Sequence, residues 1–324
     1  MKALLCKSFG PPEALVLDDV AAPTMGEDEV RVAVSYAGLN FFDLLIIENK
    51  YQVKPPLPFS PGGEFAGTVA AVGRNVSGFK PGDRVAGFSG FGAARAELVT
   101  TTDRLIHIPA GLSEEKAAGL IVTYATSLHA LKQRARLAKG ETLAVLGASG
   151  GVGIAAVELG ALMGARVIAC ASSQDKIDFA KSLGASEGVD YSKTNLRDEL
   201  KRLTGGHGVD VIYDPVGGDF TEAALRAIAW KGRHLVVGFA AGPIPKPPLN
   251  LALLKGCDIV GVFWGDFVRR EPALHKENMA DLVRWAAAGT LRAHIHAIYP
   301  IEEAAQALGV LARREAQGKV LLKI

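Results

Sequence analysis

Leu143-Ala144-Val145-Leu146-Gly147 runs without a polar break, the pattern of a strand buried on both faces. Gly147, Gly150, Gly151 and Gly153 follow, and then apolar Ile154, Val157, Leu159 and Leu162 at roughly helical spacing. Ala165 to Ala171 supplies a second apolar strand at the distance a βαβ unit needs. From about Ile121–Thr126 onward the pattern alternates. Helices are expected at 125–135, 153–163, 174–183, 196–203 and 219–229. Strands are expected at 143–147, 166–171, 188–190, 209–214, 233–238 and 258–263. That alternation predicts a parallel, doubly wound sheet. A helix is expected at about 277–288. The closing stretch Lys319–Ile324 alternates like a strand with no partner in such a tail, so it is expected to return to the first domain.

Residues 1 to about 122 have another texture. Short strand candidates at 15–17, 29–37, 67–72 and 84–87 are punctuated by Pro11-Pro12, Pro55-Pro56, Pro61-Gly62-Gly63 and Pro81-Gly82-Asp83. Glu29 to Val34 alternates with period two, which predicts one buried face. Asn40 to Asn49 is the one good early helix, and Ser113 caps another that begins at 113–120.

The 324 residues suggest two domains, each able to bury a core. Lys plus Arg number 36 and Asp plus Glu 34, so no basic excess points to nucleic acid as a partner. No apolar run reaches the about 18 residues of a membrane span, and the start lacks a signal-peptide pattern. Cys6, Cys170 and Cys257 are too few and too scattered for a disulfide framework or a Cys₄ zinc lobe. The expectation is a cytoplasmic protein.

The glycine turn between strand and helix is the start of a dinucleotide site, where backbone approaches a pyrophosphate at a helix N-terminus. An NAD site would carry an acid at the end of the second strand. Here Ser172 and Ser173 stand there with Lys176 within reach, which admits the 2′-phosphate of NADPH. The competing readings are that Asp175 serves the ribose, or that Lys176 is only a solvated helix residue. No Cys or His lies between Lys7 and Ile106, so a catalytic zinc is not expected. Asn40 and Asp43 read equally well as a helix cap with its first-turn acid. Tyr51 is a phenol able to give a proton to a carbonyl oxygen. Thr123, Tyr124 and Thr126 fall at the expected domain junction.

Taken together, F-G-P-P-E-A-L, A-G-L-N-F-F-D, P-G-G-E-F-A-G, the V-G-to-P-G-D-R-V stretch, G-A-S-G-G-V-G and Q-G-K-V-L-L resemble the quinone oxidoreductase (ζ-crystallin-like) branch of the zinc-free medium-chain dehydrogenase/reductases. The resemblance implies an α/β protein. A GroES-like β-rich catalytic domain would be built from 1–122 and 265–324, and a Rossmann domain for NADPH from 123–264, with a cleft between them. It places Gly150, Gly151 and Val152 at the pyrophosphate. Ser172, Ser173 and Lys176 surround the 2′-phosphate, with Arg314 a further candidate. Tyr191 lies near the adenosine ribose, Gly238, Phe239, Phe263 and Trp264 border the nicotinamide end, and Lys319 lies near the cofactor. Asn40, Asp43, Tyr51 and Thr126 match the substrate end. Asn40 and Gly63 stand where zinc-dependent relatives have cysteine and histidine. Ala148 replaces the first glycine of the familiar G-x-G-x-x-G register.

The implied activity is hydride transfer from NADPH to a quinone or an α,β-unsaturated carbonyl without metal. Phe41, Phe42, Phe88, Phe91 and Trp264 are candidates for an apolar wall against a flat acceptor, or for plain core. A 2-enoyl-thioester reductase is the alternative enzyme. A weakly catalytic NADPH-binding structural or RNA-binding protein is the alternative outside enzymes. The resemblance also implies a homodimer paired through the last Rossmann strand, about Asp258–Phe263.

Overall fold

The period-two alternation at Glu29–Val34 lies within an eleven-residue strand, Glu29–Leu39, whose Val30, Val32 and Val34 point inward. The computed structural model describes all residues, Met1–Ile324. They fall into two units, Met1–Val122 with Val283–Ile324, and Thr123–Leu282.

The first unit opens with the antiparallel pair β1 (Lys2–Leu5) and β2 (Val16–Asp19). Then come β3 (Glu29–Leu39), α1 (Phe41–Ile47), β4 (Glu64–Val72), β5 (Arg84–Phe88), β6 (Glu97–Thr101) and β7 (Leu105–His107). The helix α2 (Glu114–Leu128) starts after Ser113, whose hydroxyl accepts the Lys116 N–H. Two helices were expected across 113–135. One α-helix instead runs on to Leu128, because no proline or glycine interrupts it after Gly119, and a π-helical turn (129–134) continues it.

In the second unit β8 (Thr142–Leu146), α3 (Gly151–Leu162), β9 (Arg166–Ala171), α4 (Gln174–Ser182), β10 (Glu187–Asp190), α5 (Leu196–Leu203), β11 (Val209–Asp214) and α6 (Asp219–Arg226) alternate. They are followed by β12 (Ile228–Val236), α7 (Asn250–Lys255), β13 (Asp258–Gly261), α8 (Trp264–Arg270) and α9 (Pro272–Ala287). All six strands pair in parallel, in the order β10-β9-β8-β11-β12-β13. The order reverses between β8 and β11, and a doubly wound sheet receives its ligand at such a switch point.

The helix expected at 219–229 stops at Arg226, and the strand expected at 233–238 begins at Ile228. Ile228 and Ala229 are apolar and buried, a pattern that a helix end and a strand start share. The left-handed Lys231 (φ 60°) then bends the strand before Arg233.

The chain closes with β14 (Ile295–Pro300), α10 (Ala304–Ala312) and β15 (Lys319–Lys323). β15 pairs antiparallel with β3, Val320 opposite Leu39 and Leu322 opposite Ala37, so the final strand does return to the first unit's sheet. The return was expected from 265, but α8 and most of α9 stay with the second unit until Leu282. All three cysteines are unpaired and buried, and no helix is long and apolar enough to cross a membrane.

Candidate functional site

In the first unit the site grows from the junction of β3 and α1. Asn40 leaves the strand in an extended conformation and precedes the helix. Asp43, in the first helical turn, accepts the Asn40 N–H at 2.8 Å and the Gly62 N–H at 3.0 Å. One buried carboxylate thus pins the helix start to the Pro61-Gly62-Gly63 turn. Burial pushes the Asp43 carboxyl up to about 7, against the pull of those N–H groups and the Lys319 ammonium.

The Asn40 amide is engaged elsewhere. Its Nδ2 donates to Glu64 Oε1 at 3.0 Å, and its Oδ1 accepts from Lys319 Nζ at 2.6 Å. Glu64, the first residue of β4, is fully buried and also accepts from Lys319 Nζ and, at 2.8 Å, from the Val122 N–H. The motif reading assigned Glu64 no role. The signal was there: an acid inside Gly63-Glu64-Phe65-Ala66-Gly67 stays buried only if it is paired. Lys319, expected near the cofactor, lies in the first unit with its ammonium on Glu64 and Asn40.

Tyr51, half-buried after α1, stacks on Phe42 with ring centroids 5.7 Å apart, and its hydroxyl bonds to no protein group. Burial raises the phenol, as does the nearby Asp43 charge. The Phe42 ring in turn fills the room beside Gly63, where a Cβ would come within 2.6 Å of it. Phe41, Phe42 and Phe91 pack on the first unit's core. Thr126 sits on α2 in the second unit, half-buried, and its hydroxyl bonds to no protein group.

In the second unit the expected cofactor residues follow the C-terminal ends of successive strands. After β8, Gly147 is left-handed (φ 60°) and its carbonyl accepts the Gly150 N–H at 3.0 Å. Gly150 precedes the first residue of α3, Gly151, and Val152 accepts from the Ser127 hydroxyl. The turn therefore needs its glycine at 147, one place before the familiar register. Ala148 is buried with its N–H on the Cys170 carbonyl, where a side chain is tolerated.

After β9, Ser173 accepts the Lys176 N–H at the head of α4, and Lys176 Nζ donates to the Ser172 hydroxyl at 3.1 Å. After β10, Tyr191 packs against Phe220 with ring centroids 4.4 Å apart. Gly238 and Phe239 follow β12, where the Gly238 N–H meets the Asp214 carbonyl. Phe263 is exposed, whereas Trp264 is buried edge-on to His275. Arg314 is exposed and left-handed (φ 59°), after α10 in the first unit.

Asp214, at the end of β11, is a second residue that the motifs did not disclose. It accepts from the N–H groups of Val216 and Gly217, the Thr221 hydroxyl and His234 Nε2. Burial alone would raise its carboxyl, yet these partners hold it below the ordinary value. The loop they fix lies beside Phe239, 3.1 Å from where a Gly217 Cβ would stand.

The model for the alcohol dehydrogenase GroES-like domain matches residues 26–126, and that for a zinc-binding dehydrogenase matches 151–287. Over the full chain the sequence is 39% identical to quinone oxidoreductase-like protein 2 of Rattus norvegicus, covering 92% of that protein. It is 35% identical to a quinone oxidoreductase of Pseudomonas aeruginosa, with 99% of each covered. The structure of Escherichia coli quinone oxidoreductase complexed with NADPH superposes with a TM-score of 0.94 at 28% identity, covering 100% of both chains.

Proposed function

This chain belongs to the quinone oxidoreductase family of medium-chain dehydrogenase/reductases, and on that premise we propose that it is an NADPH-dependent, zinc-independent reductase of quinones or α,β-unsaturated carbonyls. The observation that carries this reading is the glycine turn at the head of α3, together with the Ser172–Lys176 pair at the end of the neighbouring strand. The turn leaves backbone free to approach a pyrophosphate. The pair offers a cation and hydroxyls where an NAD site would hold a carboxylate. The NADPH bound to the Escherichia coli relative supports the same choice.

Gly150, Gly151 and Val152 would hold the pyrophosphate, Ser172, Ser173, Lys176 and Arg314 the 2′-phosphate, and Tyr191 the ribose. Gly238, Phe239, Phe263 and Trp264 would border the nicotinamide end, and Lys319 stays in the set on the family resemblance. When bound, the coenzyme supplies the hydride. The rest falls to the chain's own groups. Charge that develops on the acceptor oxygen needs a hydrogen-bond donor in place of a metal. Tyr51 suits that task, because its raised phenol stays protonated at neutral pH and has no protein partner to release. Phe42 limits the tilt of the Tyr51 ring, and Asp43 fixes the start of α1. Asn40 would orient the acceptor, and Thr126 stays in the set on the family resemblance.

Zinc does not fit these residues. The Phe42 ring occupies the room beside Gly63, the Asn40 amide is bonded on both sides, and Asp43 and Glu64 already have their donors. A homodimer through β13 is part of the same reading. β13 is an outer strand of its sheet, and Trp230, Leu253 and Leu254 are exposed on β12 and α7. So is a cytoplasmic location, supported by three unpaired cysteines.

The test is oxidation of NADPH and of NADH with 1,4-benzoquinone, a cyclic enone and a 2-enoyl-CoA. Quinone or enone turnover that favours NADPH is expected. Turnover confined to the enoyl-CoA, or to NADH, overturns the proposal.

A further inference from the structure

We infer that Glu64 is a positioning residue for the reaction proposed above: it sets the orientation of the Asn40 amide, with Lys319 as the counter-charge that lets a carboxylate stay there. This inference rests on that reading of the activity.

Asn40 is the one neutral member of the trio, and its two ends are chemically different. Lys319 has only donors and Glu64 only acceptors, so Oδ1 must face the ammonium and Nδ2 the carboxylate. The amide cannot flip. The second Nδ2 hydrogen remains for a ligand.

Glu64 is matched to its surroundings in a way its isostere is not. Three donors converge on it: Asn40 Nδ2 and Lys319 Nζ on Oε1, and the Val122 N–H on Oε2. Glutamine has one oxygen, so at least one of these donors would face an NH₂ group.

The chain also makes room for the pair. A Cβ on Gly119 would lie 2.8 Å from Lys319 Cγ, and one on Gly38 would lie 2.6 Å from Glu64 Cγ and 2.5 Å from the Ala118 carbonyl oxygen. Gly38 interrupts strand β3 and Gly119 interrupts helix α2, and a helix-interior glycine is about 1 kcal/mol worse than alanine. A buried ion pair is seldom more stabilising than well-packed apolar side chains of the same volume. Gly119 in mid-helix and a buried ion pair are therefore poorly explained by stability. They are well explained by the need to hold the amide of Asn40 in one orientation.

The experiment is a double-mutant cycle on kcat/KM with NADPH and a quinone, using Glu64→Gln, Asn40→Ala and the combined variant. Glu64→Gln is expected to lower kcat/KM by about 10- to 100-fold. In the Asn40→Ala background the same substitution should change it by less than about twofold. Losses that multiply, or an unaffected Glu64→Gln enzyme, overturn the inference. If Glu64→Gln does not fold, E64Q/K319M removes both buried charges, and the cycle is run with that pair in its place.

A second readout needs no turnover. The Asn40 side-chain NH₂ signal of the full chain should exchange slowly with solvent in the parent and rapidly in Glu64→Gln. Equal exchange in the two overturns the inference. A parent that reduces no quinone refutes the proposed activity, and the exchange measurement still decides the role of Glu64.

Discussion

A methyl group on Gly153 would stand 2.1 Å from the carbonyl oxygen of Gly147, so α3 can approach the turn before it only without a side chain there. Gly153→Ala must push the helix off the turn, at a cost of about 1–3 kcal/mol in stability. NADPH affinity should fall with it, by at least about tenfold, because the displaced N–H groups no longer converge on one pyrophosphate. Urea unfolding and calorimetric titration check both effects. Undiminished NADPH binding would mean that the turn is not the phosphate site.

Lys176 reaches back to Ser172 across the first turn of α4. With Lys176 in the role proposed for it at the 2′-phosphate, Lys176→Ala should weaken NADPH by about 10- to 100-fold. NADH lacks that phosphate and should bind as before. Equal weakening of both coenzymes would assign Lys176 a merely structural part.

Tyr51 offers a hydroxyl with no protein partner on a ring stacked against Phe42. Tyr51→Phe keeps the stacking and deletes the donor, so turnover should fall by about 100-fold or more with NADPH affinity nearly unchanged. Unchanged turnover would remove Tyr51 from the mechanism.

Asp43 gives a pH signature. Its carboxyl titrates at about 7 in the folded chain against 3.8 when exposed. Between these values the folded chain keeps a proton that the unfolded chain has lost. This stabilising contribution is full below about pH 4 and lost as pH rises through 7. His129 and His275 act in the opposite sense, because burial lowers each from 6.5 to about 4, so their contribution is lost as pH falls through that value. Asp43→Asn should abolish only the first effect. Unfolding free energies at a series of pH values from 4 to 8 should show a flatter upper limb in the variant; an identical slope would contradict the assignment.

Local pattern carried much of the architecture. The apolar run at 143–147, its glycines and the alternation at Glu29–Val34 each specify their own structure within a few residues. Where two structures share one local pattern, as at Ile228-Ala229, only pairing with β11 decides between them. The buried trio was hidden for another reason. Lys319 meets Asn40 from 279 positions away and Glu64 from 255, so their chemistry depends on where β15 joins β3. Asp214 likewise looks like the end of an apolar strand until His234 and Thr221 are packed against it. Gly147 shows the reverse case. The motif register favoured a glycine at 148, and the backbone places the left-handed residue one step earlier.

The most direct test of a metal-free, NADPH-driven reduction is the rate of coenzyme oxidation by 1,4-benzoquinone after exhaustive chelation, measured with NADPH and NADH in parallel. The account predicts a full rate after chelation and a preference for NADPH of at least about tenfold in kcat/KM. A rate lost on chelation and restored by zinc, or NADH used as well as NADPH, would contradict it.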